Sequence, residues 1–117
     1  MRRNLGSVAE EAAVLFLEGK GIRILERNFR SYHGEIDIIA MEEQCILVVE
    51  VKMRSSRECG TPAEAVNLRK QKRICYTFNY YRMKKQISEN TAVRFDVLEV
   101  DRTFQCHWIK NAFEFQE

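Results

Sequence analysis

The sequence predicts a single α/β domain, and the spacing of its hydrophobic residues indicates that class. Two stretches, 7–19 and 61–85, have apolar residues at helical spacing together with helix-end signals. Runs of β-branched and aliphatic residues read as strands at 22–30, 35–40, 45–52, 92–100 and 104–110. No linker, internal repeat or low-complexity segment divides the 117 residues, so we expect one domain over 1–117.

Composition and charge limit the classes of protein that this chain can be. Hydrophobic residues make up 45% and charged residues 31% of the chain, as in an ordinary soluble globular protein. The longest apolar run, Cys45–Val49, is too short to cross a bilayer, and no apolar signal region follows Met1-Arg2-Arg3. We therefore expect a cytoplasmic protein without a membrane partner.

The four cysteines indicate neither a disulfide framework nor a zinc site. They are scattered along the chain, without a Cys-x-x-Cys pair or a histidine at zinc-ligand spacing. Two of them lie in apolar runs, where a free thiol behaves as a small hydrophobic side chain. We expect reduced thiols at Cys45, Cys59, Cys75 and Cys106.

The first helix is predicted over residues 7–19. Ser7-Val8-Ala9-Glu10 fits a capping box, and Gly19 and Gly21 supply the end signal. Glu10 falls at the margin of the apolar face of this helix. It therefore has two interpretations, as the capping glutamate or as an acid that leans towards the β-hairpin that follows.

A strand at 22–30 is expected to precede a β-hairpin and to form an antiparallel meander with it. The hairpin consists of 35–40 and 45–52, joined by the polar turn 41–44. His33 lies in the turn before the hairpin. We interpret it as a loop residue rather than a catalytic one, because no nucleophile or second histidine lies near it in sequence.

The hairpin places two pairs of charged residues on shared faces. Side chains two residues apart lie on the same side of a strand, so Glu35 lies with Asp37, and Glu50 lies with Lys52. Charges that face a core are costly unless they pair or bind a metal ion. Two carboxylates on adjacent strands could hold Mg²⁺, and the lysine could orient or deprotonate a water bound there. This combination indicates phosphodiester hydrolysis.

The same pattern also fits a hairpin with one solvated face. In that case Glu50 and Lys52 form a surface ion pair of little energetic value. Glu-x-Lys is a weak motif on its own, since Glu18-Gly19-Lys20 repeats it at the end of the first helix. The local sequence leaves both interpretations open.

The second helix, predicted over 61–85, is strongly basic. It begins with the N-terminal signal Thr61-Pro62-Ala63-Glu64, and no acidic residue occurs between Glu64 and Glu89. The basic residues of this stretch are Arg69, Lys70, Lys72, Arg73, Arg82, Lys84 and Lys85. A long acid-free stretch favours a polyanion partner, although a solvated helix face explains it too.

Two groups of side chains near this helix have both a structural and a nucleic-acid interpretation. Arg54 and Arg57 lie in the polar loop that follows the lysine strand, where they are solvated or contact phosphate. Tyr76, Tyr80 and Tyr81 interleave with the basic residues of the helix. Core packing explains these tyrosines as well as base stacking does.

Two charged residues lie within apolar patterns and therefore need partners. Lys70 lies on the apolar stripe of the second helix, so its ammonium group must reach solvent or find an anion. Asp96 interrupts the apolar strand 92–100, and we expect an arginine partner for it.

The ordered motifs of the chain resemble those of one known family. Gly34-Glu35-Ile36-Asp37-Ile38-Ile39-Ala40, followed by Val49-Glu50-Val51-Lys52-Met53-Arg54, resembles the YraN family of predicted endonucleases. The likeness extends from Gly6-x-x-Ala9-Glu10 through Arg94-Phe95-Asp96-Val97 to Asn111-Ala112-Phe113. That family is placed in the restriction-endonuclease-like, or PD-(D/E)xK, superfamily. The resemblance implies a restriction-endonuclease-like mixed β-sheet flanked by helices, in the order α-β-β-β-α-β-β, similar to archaeal Holliday-junction resolvases.

The resemblance also implies roles for individual residues. The implied catalytic residues are Glu10, Asp37, Glu50 and Lys52, of which the three acids would bind Mg²⁺ or Mn²⁺. Asp37, Glu50 and Lys52 match the superfamily motif, and Glu10 matches the first-helix glutamate of the resolvases. Glu35 matches a family position without a definite role, as does Lys70.

The implied function is metal-dependent hydrolysis of phosphodiester bonds in DNA, with branched or repair intermediates among the candidate substrates. The residues expected to bind nucleic acid are Arg54, Arg57, Arg69, Lys70, Lys72 and Arg73. Two other classes stay open: a non-catalytic nucleic-acid-binding or scaffold protein on the same fold, and a partner module for other proteins. A junction-cleaving role would need two sites and hence a homodimer.

Overall fold

The helices and strands follow the predicted order. A computed structural model describes residues 5–54 and 66–116 of the chain. The elements are α1 (Leu5–Gly19), β1 (Arg23–Ser31), β2 (Gly34–Glu42), β3 (Cys45–Met53), α2 (Leu68–Lys84), β4 (Ala92–Val100) and β5 (Cys106–Phe113). The strands form one five-stranded sheet in the order β1-β2-β3-β4-β5. The predicted fold class, a mixed β-sheet flanked by helices, is confirmed.

The sheet is mixed because α2 connects the neighbouring strands β3 and β4. β1, β2 and β3 form the predicted antiparallel meander, and β5 pairs antiparallel with β4. β3 and β4 run parallel, which requires a long crossover connection, and α2 lies within that connection. The crossover brings the start of α2 towards the end of β3, where the predicted Glu-x-Lys motif lies.

Each face of the sheet is covered by one helix. On one face α1 buries Ala13 and Leu17 against β3 and β4, in a core that includes Val49 and Leu98. On the other face α2 buries a second core, which includes Ile74, Phe78, Val48 and Phe95. A strand buried on both faces is apolar along its length, which explains the uninterrupted hydrophobic run of β3.

Both helices begin at residues other than those predicted. α1 begins at Leu5, so Ser7 and Glu10 lie inside it and the capping-box prediction is wrong. The predicted start of the second helix, at 61–64, lies outside the described residues. Asn67 is extended and caps α2 by accepting a hydrogen bond from Lys70 N at 2.9 Å, so a helix that runs unbroken from 61 is wrong.

The last strand begins two residues later than predicted, at Cys106. The preceding loop is closed by Asp101, whose Oδ1 accepts hydrogen bonds from Thr103 N and Gln105 N at 2.8 and 3.0 Å. Phe104 has a φ of 64°, which ends the extended conformation there. A local side-chain turn therefore replaces the first residues of the predicted strand.

Two further observations concern the composition of the chain. Cys45, Cys75 and Cys106 carry free thiols, and Cys59 lies outside the described residues. Within the described ranges, neither helix has the length and apolar character that crossing a membrane requires.

Asp96 is fully buried and accepts hydrogen bonds from three different residues. Arg94 approaches its carboxylate with Nε and Nη2, both at 2.9 Å, which confirms the predicted arginine partner. Trp108 Nε1 and Asn111 N donate to the same carboxylate, each at 2.8 Å. This network ties β4 to β5, so a buried charge here holds two strands together.

We predict that Asp96→Ala destabilises the protein by about 3 kcal/mol or more, because donors from three residues lose a fully buried, charged acceptor. Urea denaturation followed by Trp108 fluorescence measures this change in the free energy of unfolding. Glu89→Ala, at an exposed loop acid, is the matched control and should change stability by about 0.5 kcal/mol or less. A loss of under about 1 kcal/mol in Asp96→Ala would contradict the structural role given to the network.

Candidate functional site

β2 and β3 separate at the residues that carry the predicted carboxylates. The paired residues run from Glu42 and Cys45 up to Ile38 and Val49. Beyond that point, the Asp37 Oδ2 atom accepts a hydrogen bond from the backbone N–H of Val51 at 2.8 Å. A side-chain oxygen thus takes the position of a backbone acceptor, and the ends of the two strands stand apart.

The regular alternation of β2 also breaks at Asp37. Ile36 packs in the core beneath α2 and Ile38 in the core beneath α1, although residues two apart on a regular strand share a face. Asn28, the residue of β1 level with Asp37 in the register, has a φ of 52°. The distortion of both strands coincides with the carboxylate that bonds to Val51.

A cavity of about 550 Å³ opens where β2 and β3 separate, between the first turns of α1 and α2. Its acidic lining residues are Glu10, Glu35, Asp37 and Glu50. Its basic lining residues are Arg69, Lys70 and Arg73, all on α2. The cavity therefore has an acidic floor, formed by the sheet and α1, beside a basic wall formed by α2.

Three of these acids are close enough to share one cation. Oxygen atoms of Glu10, Glu35 and Asp37 all lie within 4.8 Å of one another, and all three residues are half-buried. Ala9 and Ala13 anchor α1 against the sheet and so bring Glu10 over β2. We call these three residues the carboxylate cluster.

Burial and the neighbouring Glu50 make ionisation of Asp37 unfavourable. Burial and the neighbouring charge of Glu50, which also shares a hydrogen bond with Asp37, raise the pKa of Asp37 to about 8. Glu10 raises the pKa further, and the hydrogen bond from Val51 opposes the shift. Crowded carboxylates of this kind repel one another until a proton or a cation neutralises them.

Glu50 is neutralised by a different group, the ammonium of Lys70. The side chain of Glu50 is only 4% exposed, and one of its carboxylate oxygens forms an ion pair with Lys70 Nζ. Glu50 is therefore the anionic partner that was expected for Lys70 from its position on the apolar stripe of α2. The hydrogen bond that Lys70 N donates to Asn67 Oδ1 fixes the backbone of Lys70, so the first turn of α2 positions this ion pair.

The other predicted site residues lie in different places. Lys52 is half-buried, lies level with Glu99 of β4 in the register and is not among the described residues that line the cavity. Arg54 forms an ion pair with Glu99 at 3.3 Å, away from the carboxylate cluster. Lys72 is exposed on α2, and Arg57 lies outside the described residues. The catalytic role of Lys52 stays a prediction.

Glu35 is the functional candidate whose role the sequence left undefined. The period-two pattern placed Glu35 with Asp37, and this was the available signal for a shared site. The sequence left the contribution of α1 to the same cluster open, because capping explained Glu10 equally well. The structure brings both glutamates to Asp37, while Glu50 is paired with Lys70.

The protein is an α/β domain with a mixed sheet, and a cluster of carboxylates lies where two of its strands separate. The sequence pattern of the uncharacterised protein family UPF0102 matches residues 9–100. The chain therefore belongs to that family, the YraN family that its motifs resemble.

Relatives of the same family match the chain over nearly its full length. A UPF0102 protein of Alkaliphilus oremlandii is 43% identical over 97% of this chain and 100% of its own. One from Caldicellulosiruptor saccharolyticus is 43% identical over 96% of this chain and 98% of its own. A third, from Clostridium botulinum strain 657, is 42% identical over 96% and 95%.

We predict that Asp37→Asn stabilises the metal-free protein at about pH 8 by about 1–3 kcal/mol. Between the ordinary pKa of 3.8 and about 8, folded Asp37 holds a proton that the unfolded chain releases. The free energy of unfolding therefore falls as the pH rises through that window, and asparagine removes this loss while keeping an acceptor for Val51 N–H.

Urea denaturation in chelator at several pH values tests this prediction. The advantage of Asp37→Asn should shrink as the pH falls towards the ordinary pKa of 3.8 and should disappear well below it, where the carboxyl group is protonated in both states. Glu18→Gln, at an exposed acid of α1, should follow the wild type at every pH. An Asp37→Asn protein that is no more stable than the wild type at about pH 8 would contradict the raised pKa.

Proposed function

We propose that this protein is a divalent-metal-dependent nuclease that hydrolyses phosphodiester bonds of DNA. The observation that carries the proposal is the carboxylate cluster, whose oxygens lie within 4.8 Å of one another. The cluster lies in a cavity that has the basic helix α2 as one wall. Phosphodiester hydrolysis by a metal-dependent nuclease requires carboxylates that bind the cation and basic side chains that bind phosphate, and this cavity has both.

The donor chemistry of the carboxylate cluster suits Mg²⁺ or Mn²⁺. These ions prefer carboxylate oxygens and keep several waters, so a few protein ligands are enough to bind them. Burial and the charge of Glu50 raise the pKa of Asp37, and a cation bound beside it would favour the ionised carboxylate. A bound divalent ion supplies Lewis-acid stabilisation of the phosphate and a nucleophilic water at neutral pH.

The residues of the chain have separate roles in this proposal. Glu10, Glu35 and Asp37 hold the metal ion, with Glu50 beside Asp37 as a further acid. Arg69 and Arg73 line the cavity and bind backbone phosphates by charge-assisted hydrogen bonds. Lys70 contributes to the same basic wall, where its ammonium also contacts Glu50.

Lys52 is proposed to orient the attacking water and to stabilise charge on the phosphate in the transition state. It follows Glu50 by two residues on β3, so the two side chains belong to the same strand face. The proposed setting is cytoplasmic, with branched or repair DNA as the substrate. A junction substrate would require a homodimer, because two strands must be cut.

One observation favours a second candidate function, a nucleic-acid-binding protein without cleavage. The acid of the Glu-x-Lys motif is already neutralised by Lys70. If this ion pair persists in the complex, Glu50 cannot serve a metal ion and the basic wall alone would bind nucleic acid. Cleavage and binding must therefore be measured separately.

We predict that the purified protein cleaves labelled DNA in Mn²⁺ or Mg²⁺ and does not cleave it in chelator. Linear duplex, single-stranded and four-way-junction substrates show which shape is preferred. Asp37→Asn should lower the cleavage rate by about a hundredfold or more, because a neutral amide is a poor ligand for a hard cation. Glu18→Gln should cleave like the wild type.

Binding to the same DNA in chelator separates the two candidate functions. The nuclease proposal fails if no substrate is cleaved in either metal, or if the cleavage persists unchanged in Asp37→Asn. Metal-independent binding without cleavage would instead support the second candidate.

A further inference from the structure

Three aromatic side chains form an exposed cluster where the turn between β1 and β2 meets α2. Tyr32 and His33 lie in the turn, and Tyr76 lies on α2. The ring centroids of Tyr32 and His33 are 5.5 Å apart, and those of His33 and Tyr76 are 5.3 Å apart. Tyr32 is 98% exposed and Tyr76 is 52% exposed. We call these residues the aromatic cluster.

The aromatic cluster is held in place by contacts beneath it. Ser31 Oγ lies 3.1 Å from Oγ1 of the buried Thr77, and His33 N donates to Ser31 Oγ at 3.1 Å. Gly34 packs against α2, since a Cβ there would lie in van der Waals contact with Arg73 Cβ, at 3.4 Å. The turn is thus docked on α2, and the exposed rings project from a supported backbone.

The aromatic cluster lies directly beside the carboxylate cavity. Gly34 and Arg73 line that cavity, and they are the residues through which the turn and α2 meet. Tyr76 follows Arg73 by three residues, a rise of about 4.5 Å along the helix. Arg69, Arg73 and Tyr76 therefore form one stripe on α2, which begins at the cavity and ends at the aromatic cluster.

Charge favours nucleic acid as the partner of this surface. The chain has no acidic residue between Glu64 and Glu89, so every charge that α2 can offer beside Tyr76 is positive. Exposed aromatic rings next to cationic side chains are the combination that binds single-stranded nucleic acid, by stacking on bases and by pairing with phosphates. An acid-free helix gives a neutral apolar partner no comparable advantage.

We propose that the aromatic cluster stacks against unpaired bases, so that the strand delivered to the cavity is single-stranded or a frayed, branched end. Rings can stack on the faces of bases only where those faces are not already stacked in a duplex. The basic stripe from Arg69 to Arg73 holds the backbone while Tyr76, His33 and Tyr32 hold the adjoining bases. This inference rests on the nucleic-acid partner of the proposed function and adds the substrate's shape.

The test measures binding of fluorescently labelled DNA to the full chain in chelator, by anisotropy. A single strand of mixed sequence is compared with a duplex of equal length. We expect tighter binding of the single strand. Tyr76→Ala and Tyr32→Ala should each weaken single-strand binding by about fivefold to a hundredfold, the range for one lost base–aromatic stack, and should change duplex binding far less.

Matched variants separate stacking from folding and from charge. Tyr76→Phe keeps the ring and should bind within about twofold of the wild type. Leu15→Ala removes an exposed apolar side chain from α1, on the other face of the sheet, and should have no effect. The slope of log affinity against log salt concentration should be unchanged in Tyr76→Ala. Arg69→Gln removes one cation of the basic stripe and should lower that slope by about one.

The outcomes also separate this inference from the nuclease proposal. Single-strand binding that Tyr76→Ala and Tyr32→Ala leave unchanged would overturn the inference, and so would equal affinity for duplex and single strand. Absence of any binding to DNA would also overturn the inference. The aromatic cluster would then be a candidate surface for binding another protein. Binding is measured in chelator and does not depend on cleavage. If binding depends on the aromatic residues but the protein cleaves no DNA in Mn²⁺ or Mg²⁺, the result would support this inference and reject only the nuclease proposal.

Discussion

The hydrogen bond from Val51 N–H to the Asp37 carboxylate is the contact on which the rest of the site depends. At this point the ladder between β2 and β3 has ended, and a partly buried N–H without an acceptor would be costly. Asp37 satisfies that donor with a side chain, so the strand ends can separate and leave a cavity. The same arrangement holds a carboxylate in a half-buried position, where its pKa is raised to about 8.

The surrounding charges follow from this arrangement. A second acid, Glu50, is buried next to Asp37 and is neutralised by Lys70 at the start of α2. Glu10 and Glu35 add further negative charge beside Asp37 without a comparable buried partner in the described structure. Acids that repel one another in a cavity reduce stability, and arrangements of this kind are typical of functional sites. The crossover through α2 sets basic side chains against this acidic group.

The sequence predicted those features that depend on local pattern. Period-two hydrophobicity located the strands, and the acid-free stretch after Glu64 identified the basic helix. The sequence did not predict the break in alternation at Asp37, because that break coincides with a tertiary contact to Val51, fourteen residues away. Pairing of Glu50 with Lys70 and the docking of the Tyr32 turn on α2 likewise depend on tertiary contacts. The start of α2 was misplaced because the earlier Thr-Pro signal resembles an N-cap as closely as Asn67 does.

Calorimetric titration of Mn²⁺ into the metal-free protein tests most directly the claim that the carboxylate cluster is a cation site. The account predicts one saturable site, weakened by about tenfold or more in Glu35→Gln and in Glu10→Gln, because each loses a charged oxygen ligand. Glu18→Gln, on the exposed side of α1, should bind like the wild type. Absence of saturable binding, or equal affinity in Glu35→Gln and the wild type, would contradict the account.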